Sequence, residues 1–207
     1  MEHKRDNGHV DLPRFRMEQP VDPASVEMVT ELLPGLSRGL VVINPHRYHS
    51  TIVSLARAGT IFSILRREVP GLAQEYYAQE MLYLRERLAL IQSDVMEVPG
   101  ERFDIYGNGQ RVFVLKLRLI PELRELHEQA YEEVSRWLRR CGISTIGRFM
   151  EGVYGLHYST PERFKPHVSL AKGMGKKRPP VEAKDIAVVL YPAKVVETRY
   201  ARVHYHE

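Results

Sequence analysis

Two segments of this 207-residue chain repeat one pattern: His, any residue, Ser or Thr, then an aliphatic residue. They are His49-Ser50-Thr51-Ile52 and His167-Val168-Ser169-Leu170. Both are β-rich, and in a strand residues i and i+2 face the same way. Each segment therefore projects an imidazole and a hydroxyl from one face and turns its aliphatic residue toward a core. A fold that accepts both segments must offer two strands with one polar and one buried face. Side by side, such strands floor a cleft with two histidines and two hydroxyls. Average composition would give the chain's nine histidines about 0.3 such hits by chance, so two are informative. A pair of structural core histidines is the competing reading.

The rest of the chain supplies the layers around such strands. Asp22-Pro23 predicts a helix start, with Asp as cap and Pro in the first turn, and Pro34-Gly35 predicts its end. Residues 1 to about 20 mix charge with Pro13 and Pro20 and predict an extended arm. Leu40–Ile43 and His49–Leu55 predict strands. Apolar spacing predicts helix from Thr60 to Ile91, punctuated by Pro70-Gly71. Asp94 to Leu119 predicts a meander, with strands at 95–98, 103–106 and 111–119 and a turn at Gly107-Asn108-Gly109. Pro121 to Arg140 predicts a strong amphipathic helix. Gly147 to Thr160 predicts a loop holding a strand, and 167–171, 186–191 and 200–205 predict the last strands. The order of elements indicates an α+β fold. Residues 1–39 are expected to form an N-terminal arm with a short helix, and 40–207 the domain.

Composition narrows the function classes. Thirty Lys and Arg against 26 Asp and Glu give a formal net charge of +4, which permits a polyanionic ligand without demanding one. The single cysteine, Cys141, excludes an internal disulfide and a multi-cysteine zinc site. No apolar run approaches the ~20 residues that span a bilayer, and Met1 to Arg16 lacks the apolar core of a secretory signal. The expected protein is a cytoplasmic monomer without a membrane partner.

Three familiar motifs fail. Gly107-Asn108-Gly109 lacks the third glycine of a dinucleotide fingerprint and leads into a strand. Gly173 to Lys177 lacks the leading glycine and the hydroxyl of a phosphate loop. His127-Glu128 lacks the second histidine of a zinc-protease helix. His204 and His206 read as solvated imidazoles.

The paired motifs suit phosphodiester chemistry. A neutral imidazole can take a proton from an attacking oxygen while a protonated one delivers a proton to the leaving oxygen. The hydroxyls can hold the non-bridging oxygens as charge shifts. Such chemistry requires no metal and no cofactor.

On these residues the chain resembles the two-histidine phosphoesterase superfamily, which contains the bacterial RNA 2′,3′-cyclic phosphodiesterases, formerly called 2′-5′ RNA ligases. It carries both motifs and the lead into the second, Phe164-Lys165-Pro166-His167. The resemblance covers about Leu40 to Tyr205. It departs from the family in the roughly 40 residues before the first expected strand, and in the wide separation of the motifs. It implies a duplicated bilobal α+β fold of antiparallel sheets with outer helices and a central cleft. It implies His49 and His167 as the acid–base pair, with Thr51 and Ser169 on the phosphate, and leaves open which histidine is the base. Arg47 and Lys165, each two residues before a histidine, are candidate phosphate contacts. Tyr48 and Tyr158 are candidates for stacking on a base. The expected partner is an RNA or nucleotide substrate. A 2′,3′-cyclic phosphate is the first choice. The alternatives are 2′-5′ oligonucleotides, cyclic oligonucleotide signals, or nucleotide binding without turnover.

Overall fold

The computed structural model describes residues 12–36, 40–55, 57–106, 111–153, 156, 159–173 and 180–197. Its strands are β1 (Phe15–Pro20), β2 (Val41–Val42), β3 (His49–Ser54), β4 (Met96–Tyr106), β5 (Arg111–Leu117), β6 (His167–Gly173), β7 (Val181–Glu182), β8 (Ala187–Leu190) and β9 (Lys194–Glu197). Its α-helices are α1 (Pro23–Leu36), α2 (Ala58–Glu68), α3 (Gln74–Ala89), α4 (Pro121–Arg140) and α5 (Ile146–Gly152). The strands follow the order β7-β4-β5-β6-β3-β1-β9, with β2 on β6 and β8 on β4. All the pairings between these strands are antiparallel. The fold class is α+β, and the two motif strands, β3 and β6, are neighbours at the centre of the sheet.

The halves on either side of that seam are built alike. On one side β1 pairs with β3, and the register skips Ile52, because Met17 meets Val53 while Glu18 meets Thr51. On the other side β5 pairs with β6, and the register skips Leu170, because Phe113 meets Ala171 while Val114 meets Ser169. Each motif therefore carries a β-bulge at its aliphatic fourth residue. A bulge lets two successive residues face one way. Ile52 and Val53 are both buried, as are Leu170 and Ala171. The bulges seat two adjacent apolar residues under each motif and pin its register.

The core lies under the sheet. Helix α4 begins at Pro121, which needs no N–H there. It buries Leu123, Leu126, Ala130, Val134, Trp137 and Leu138 along one stripe and packs on β3 and α3. Two two-pronged ion pairs join α3 to α4. Arg140 donates to both oxygens of Glu80 at 2.6 and 2.7 Å, and Arg87 to both of Glu133 at 3.3 and 3.0 Å. The Arg140 guanidinium holds the Glu80 carboxyl below its usual range, against the opposing effect of burial.

Several expectations change. The segment read as an arm holds β1, which lies inside the sheet between β3 and β9. Its apolar positions alternate, with Phe15 and Met17 buried, but charges and flanking prolines mask the period in the sequence. A boundary at residue 39 therefore does not separate an arm from the domain. Asp22 caps α1 as expected, its carboxylate accepting from the N–H groups of Ala24 and Ser25. The helix runs past Pro34 to Leu36. The 60–91 helix is two helices, broken around Pro70-Gly71.

The two short strands expected at 95–98 and 103–106 are one strand, β4. Its start pairs with β8 and its end with β5 and β7. The change of partner falls at Gly100, where a Cβ would meet the Ala183 carbonyl oxygen at 2.7 Å. Ile146–Gly152 is a helix where a loop and strand were expected, with Ile146, Phe149 and Met150 buried at helical spacing. Strand β9 was not expected. The turn at 107–109 and the strand at 200–205 lie outside the described residues.

Candidate active site

Ser50 of β3 is paired with Val168 of β6, and both are buried. Stepping one residue either way sets His49 opposite Ser169 and Thr51 opposite His167. These four side chains share the other face and are half-buried. The histidines lie on a diagonal, which in antiparallel strands separates them by about 7–8 Å. One phosphate group fits between side chains so placed. The structure thus brings His49, Thr51, His167 and Ser169 together on one floor.

Each imidazole is held in the same way. His49 Nδ1 lies 2.6 Å from the carbonyl oxygen of Arg47. His167 Nδ1 lies 2.8 Å from that of Lys165. A carbonyl only accepts, so both Nδ1 atoms carry hydrogen and each Nε2 is left for proton transfer. The local sequence explains the geometry. Before His49 the chain makes a short 3-10 turn, Pro45–Arg47, capped by the Asn44 side chain. Before His167 stands Pro166, whose carbonyl accepts from the Leu117 N–H at 2.9 Å. Both strands begin at the histidine itself. Strand alternation therefore does not reach back to Arg47 and Lys165, whose side chains are exposed. What these two residues bring to the histidines is a backbone carbonyl.

The chemistry around the two imidazoles differs. His49 Nε2 stands 3.6 Å from Oε2 of Glu18, a buried carboxylate that also pairs with Arg16. Across from His167 on β5 stands Lys116, whose ammonium donates to Glu101 at 2.7 Å. The Tyr106 ring meets the His167 ring edge-on, with centroids 5.2 Å apart. Burial draws His49 below the usual imidazole range. Glu18 pushes it back up, Arg16 and His167 push it down, and the Arg47 carbonyl pushes it up. Burial also lowers His167, opposed by the Lys165 carbonyl.

Tyr48 is not brought to this floor. It is 3% exposed, its hydroxyl sits 3.5 Å from the Leu170 carbonyl oxygen, and its ring lines a cavity of about 610 Å³ beside α1 that none of the four motif side chains lines. Tyr158, the basic run 176–178 and His204 with His206 lie outside the described residues. Cys141 is buried at the end of α4, where burial pushes its thiol up to about 12 and leaves it inert. Among the described residues no cluster of three His, Cys, Asp or Glu side chains is arranged to hold a metal, and no helix is long and apolar enough to cross a membrane.

Sequence reasoning missed Glu18, Lys116 and Tyr106. The alternation of Phe15 and Met17 could have revealed β1. Nothing local shows that Glu18 meets His49, because the contact depends on which strand lies beside β3.

No protein-family model matches the sequence, and no curated protein matches it significantly. Solved structures do match. TT0787 of Thermus thermophilus superposes with a TM-score of 0.58 at 18% identity, over 90% of this chain and 88% of that one. A structure described as a phosphoesterase gives 0.57 at 11% identity, over 93% and 91%. LigT of E. coli in apo form gives 0.56 at 13% identity, over 92% and 90%. At these identities the match establishes a shared fold. The LigT-like fold expected from the two motifs is the fold of this chain.

Proposed function

Taking the LigT-like fold as premise, we propose that this protein is a phosphodiesterase of the two-histidine type, acting on RNA ends or nucleotides without a metal. The hydrolysis of a 2′,3′-cyclic phosphate is its best-supported reaction. One observation carries the reading. Two imidazoles on adjacent strands, each tied at Nδ1 to a backbone carbonyl, face a shared floor with two hydroxyls. Core histidines would not need matching carbonyl tethers or half-exposed positions. LigT has been solved in complex with 3′-AMP and with ATP, which supports a nucleotide ligand.

In the proposed reaction the phosphate lies over Thr51 and Ser169, which donate to its non-bridging oxygens. One imidazole takes a proton from water through Nε2 as the water oxygen bonds to phosphorus. The bond from phosphorus to the leaving oxygen breaks, and the other imidazole gives that oxygen its Nε2 proton. Charge builds on the non-bridging oxygens in the transition state, where fixed donors are most effective.

The test is a screen of 2′,3′-cyclic nucleotides, 2′-5′ and 3′-5′ dinucleotides and cyclic dinucleotides, with product identification. Turnover of a cyclic phosphate that survives EDTA and disappears in His49→Ala and His167→Ala is the expected result. Tight binding of AMP without product over hours would replace the enzyme with a binding module.

A further inference from the structure

The two halves of the site match in backbone and differ in the side chains that touch the imidazoles, Glu18 at His49 and Tyr106 at His167. Glu18 on β1 stands opposite Thr51, one bulge removed from Met17. The corresponding position on β5, opposite Ser169 and one bulge removed from Phe113, is Val114. Glu18 is 6% exposed. A carboxylate this deep needs partners. It has two, the Arg16 guanidinium and His49 Nε2, both on Oε2. His167 faces Tyr106 and stands opposite Lys116, and among the described residues no carboxylate is paired with it. Among the described residues the charged and titratable groups around His49 are Glu18 and Arg16 on β1 and His167 on β6, with Lys194 opposite Glu18 on β9.

We propose that Glu18 is a positioning residue that makes His49 the proton donor of the pair and leaves His167 the proton acceptor. This inference rests on the functional reading above and sharpens it. The anion beside Nε2 favours the form of His49 that carries a proton on both nitrogens. His167 has no such neighbour among the described residues and keeps a lone pair on Nε2. The leaving oxygen then lies over β3 and the attacking water over β6. As the phosphate enters, its oxygens replace Glu18 at Nε2, and Arg16 retains the displaced carboxylate. Once His49 has given up its proton and His167 has gained one, exchange with water restores both.

The experiment follows the two imidazoles by NMR in the full chain labelled with ¹⁵N-histidine, assigned with His49→Ala and His167→Ala. In the parent protein His49 should hold its proton to higher pH than His167. Glu18→Gln should lower the His49 titration and leave His167 in place, and Glu18→Asp should restore part of the difference. Circular dichroism confirms that each variant is folded. An unmoved His49 titration in folded Glu18→Gln overturns the proposal, as does an equal shift at both histidines.

Kinetics on 2′,3′-cyclic AMP give a second reading. A proton donor that titrates lower loses rate on the alkaline side only. There kcat/KM of Glu18→Gln should fall about tenfold, the effect of one unit of titration, with no change on the acid side. A loss uniform in pH overturns the assignment by showing a merely structural role. Absence of turnover in the parent protein would instead defeat the functional reading, and the imidazole titrations would still decide the role of Glu18.

Discussion

The β1–β3 half and the β5–β6 half of the sheet repeat each other down to the bulge after each hydroxyl. Beneath them the supports diverge. The β3 imidazole is bordered by an acidic side chain from β1. The β6 imidazole is bordered by an aromatic ring from β4 and hangs from the carbonyl of Lys165, one residue beyond Phe164. Phe164 in turn stacks on the ring of His127 in α4, with centroids 3.9 Å apart. Shared backbone geometry fixes where the imidazoles and hydroxyls stand, and the unshared side chains give each imidazole its own surroundings.

The largest test of that comparison is removal of either histidine. On the proposed mechanism His49→Ala and His167→Ala each lower kcat about a thousandfold, the usual worth of a positioned acid or base. Equal losses fit a concerted pair. A loss confined to one variant, measured in single-turnover assays of the cyclic phosphate, would break the symmetry of function that the backbone implies.

The next test concerns stability and centres on the ring stack of His127 and Phe164. His127 is 1% exposed, and burial pushes its imidazole down to about 4 from 6.5. A histidine lowered in this way is neutral in the fold and gains a proton more readily when unfolded. Its contribution is complete above pH 6.5 and is lost as the pH falls toward 4, in all about 3 kcal/mol. Denaturant midpoints between pH 7 and 4 should show this slope. His127→Phe, which keeps a ring against Phe164, should flatten it. An identical slope in parent and variant would remove His127 from the account.

A smaller effect is expected from the hydroxyls. Thr51→Val and Ser169→Ala should each lower kcat about a hundredfold, the order found for a single donor to a developing oxyanion. Both variants should unfold close to the parent. If one costs far more than the other, the phosphate sits toward one half and the comparison sharpens.

The sequence made part of this legible. The two motifs, the Asp22 cap and the α4 stripe could be read because each depends on a period or a neighbour within a few residues. Strand β1 was hidden because its alternation of Phe15 and Met17 is short and ends at Gln19, a polar residue at the next buried position. The long β4 was hidden because a strand that changes partners at Gly100 shows two short apolar runs. Arg47 and Lys165 were singled out for their side chains. Their carbonyls make the contacts, and a backbone atom leaves no mark in residue type. The contact of Glu18 with His49 could not be read, because it depends on strand order set by the whole chain.

The pairing of β1 with β9 joins Phe15 to Glu197, close to opposite ends of the sequence. A contact that long closes late, because the entropy of the intervening loop is lost before the pairing is gained. During synthesis β1 emerges before β9 and must wait for it before its second edge is covered. β3 likewise waits for β6. A ribosome-bound fragment ending in α4 thus holds His49 and Thr51 on a strand with one exposed edge, an invitation to wrong partners. On the proposed function, activity can arise only once β6 has joined β3, and fragments stalled before β6 should aggregate.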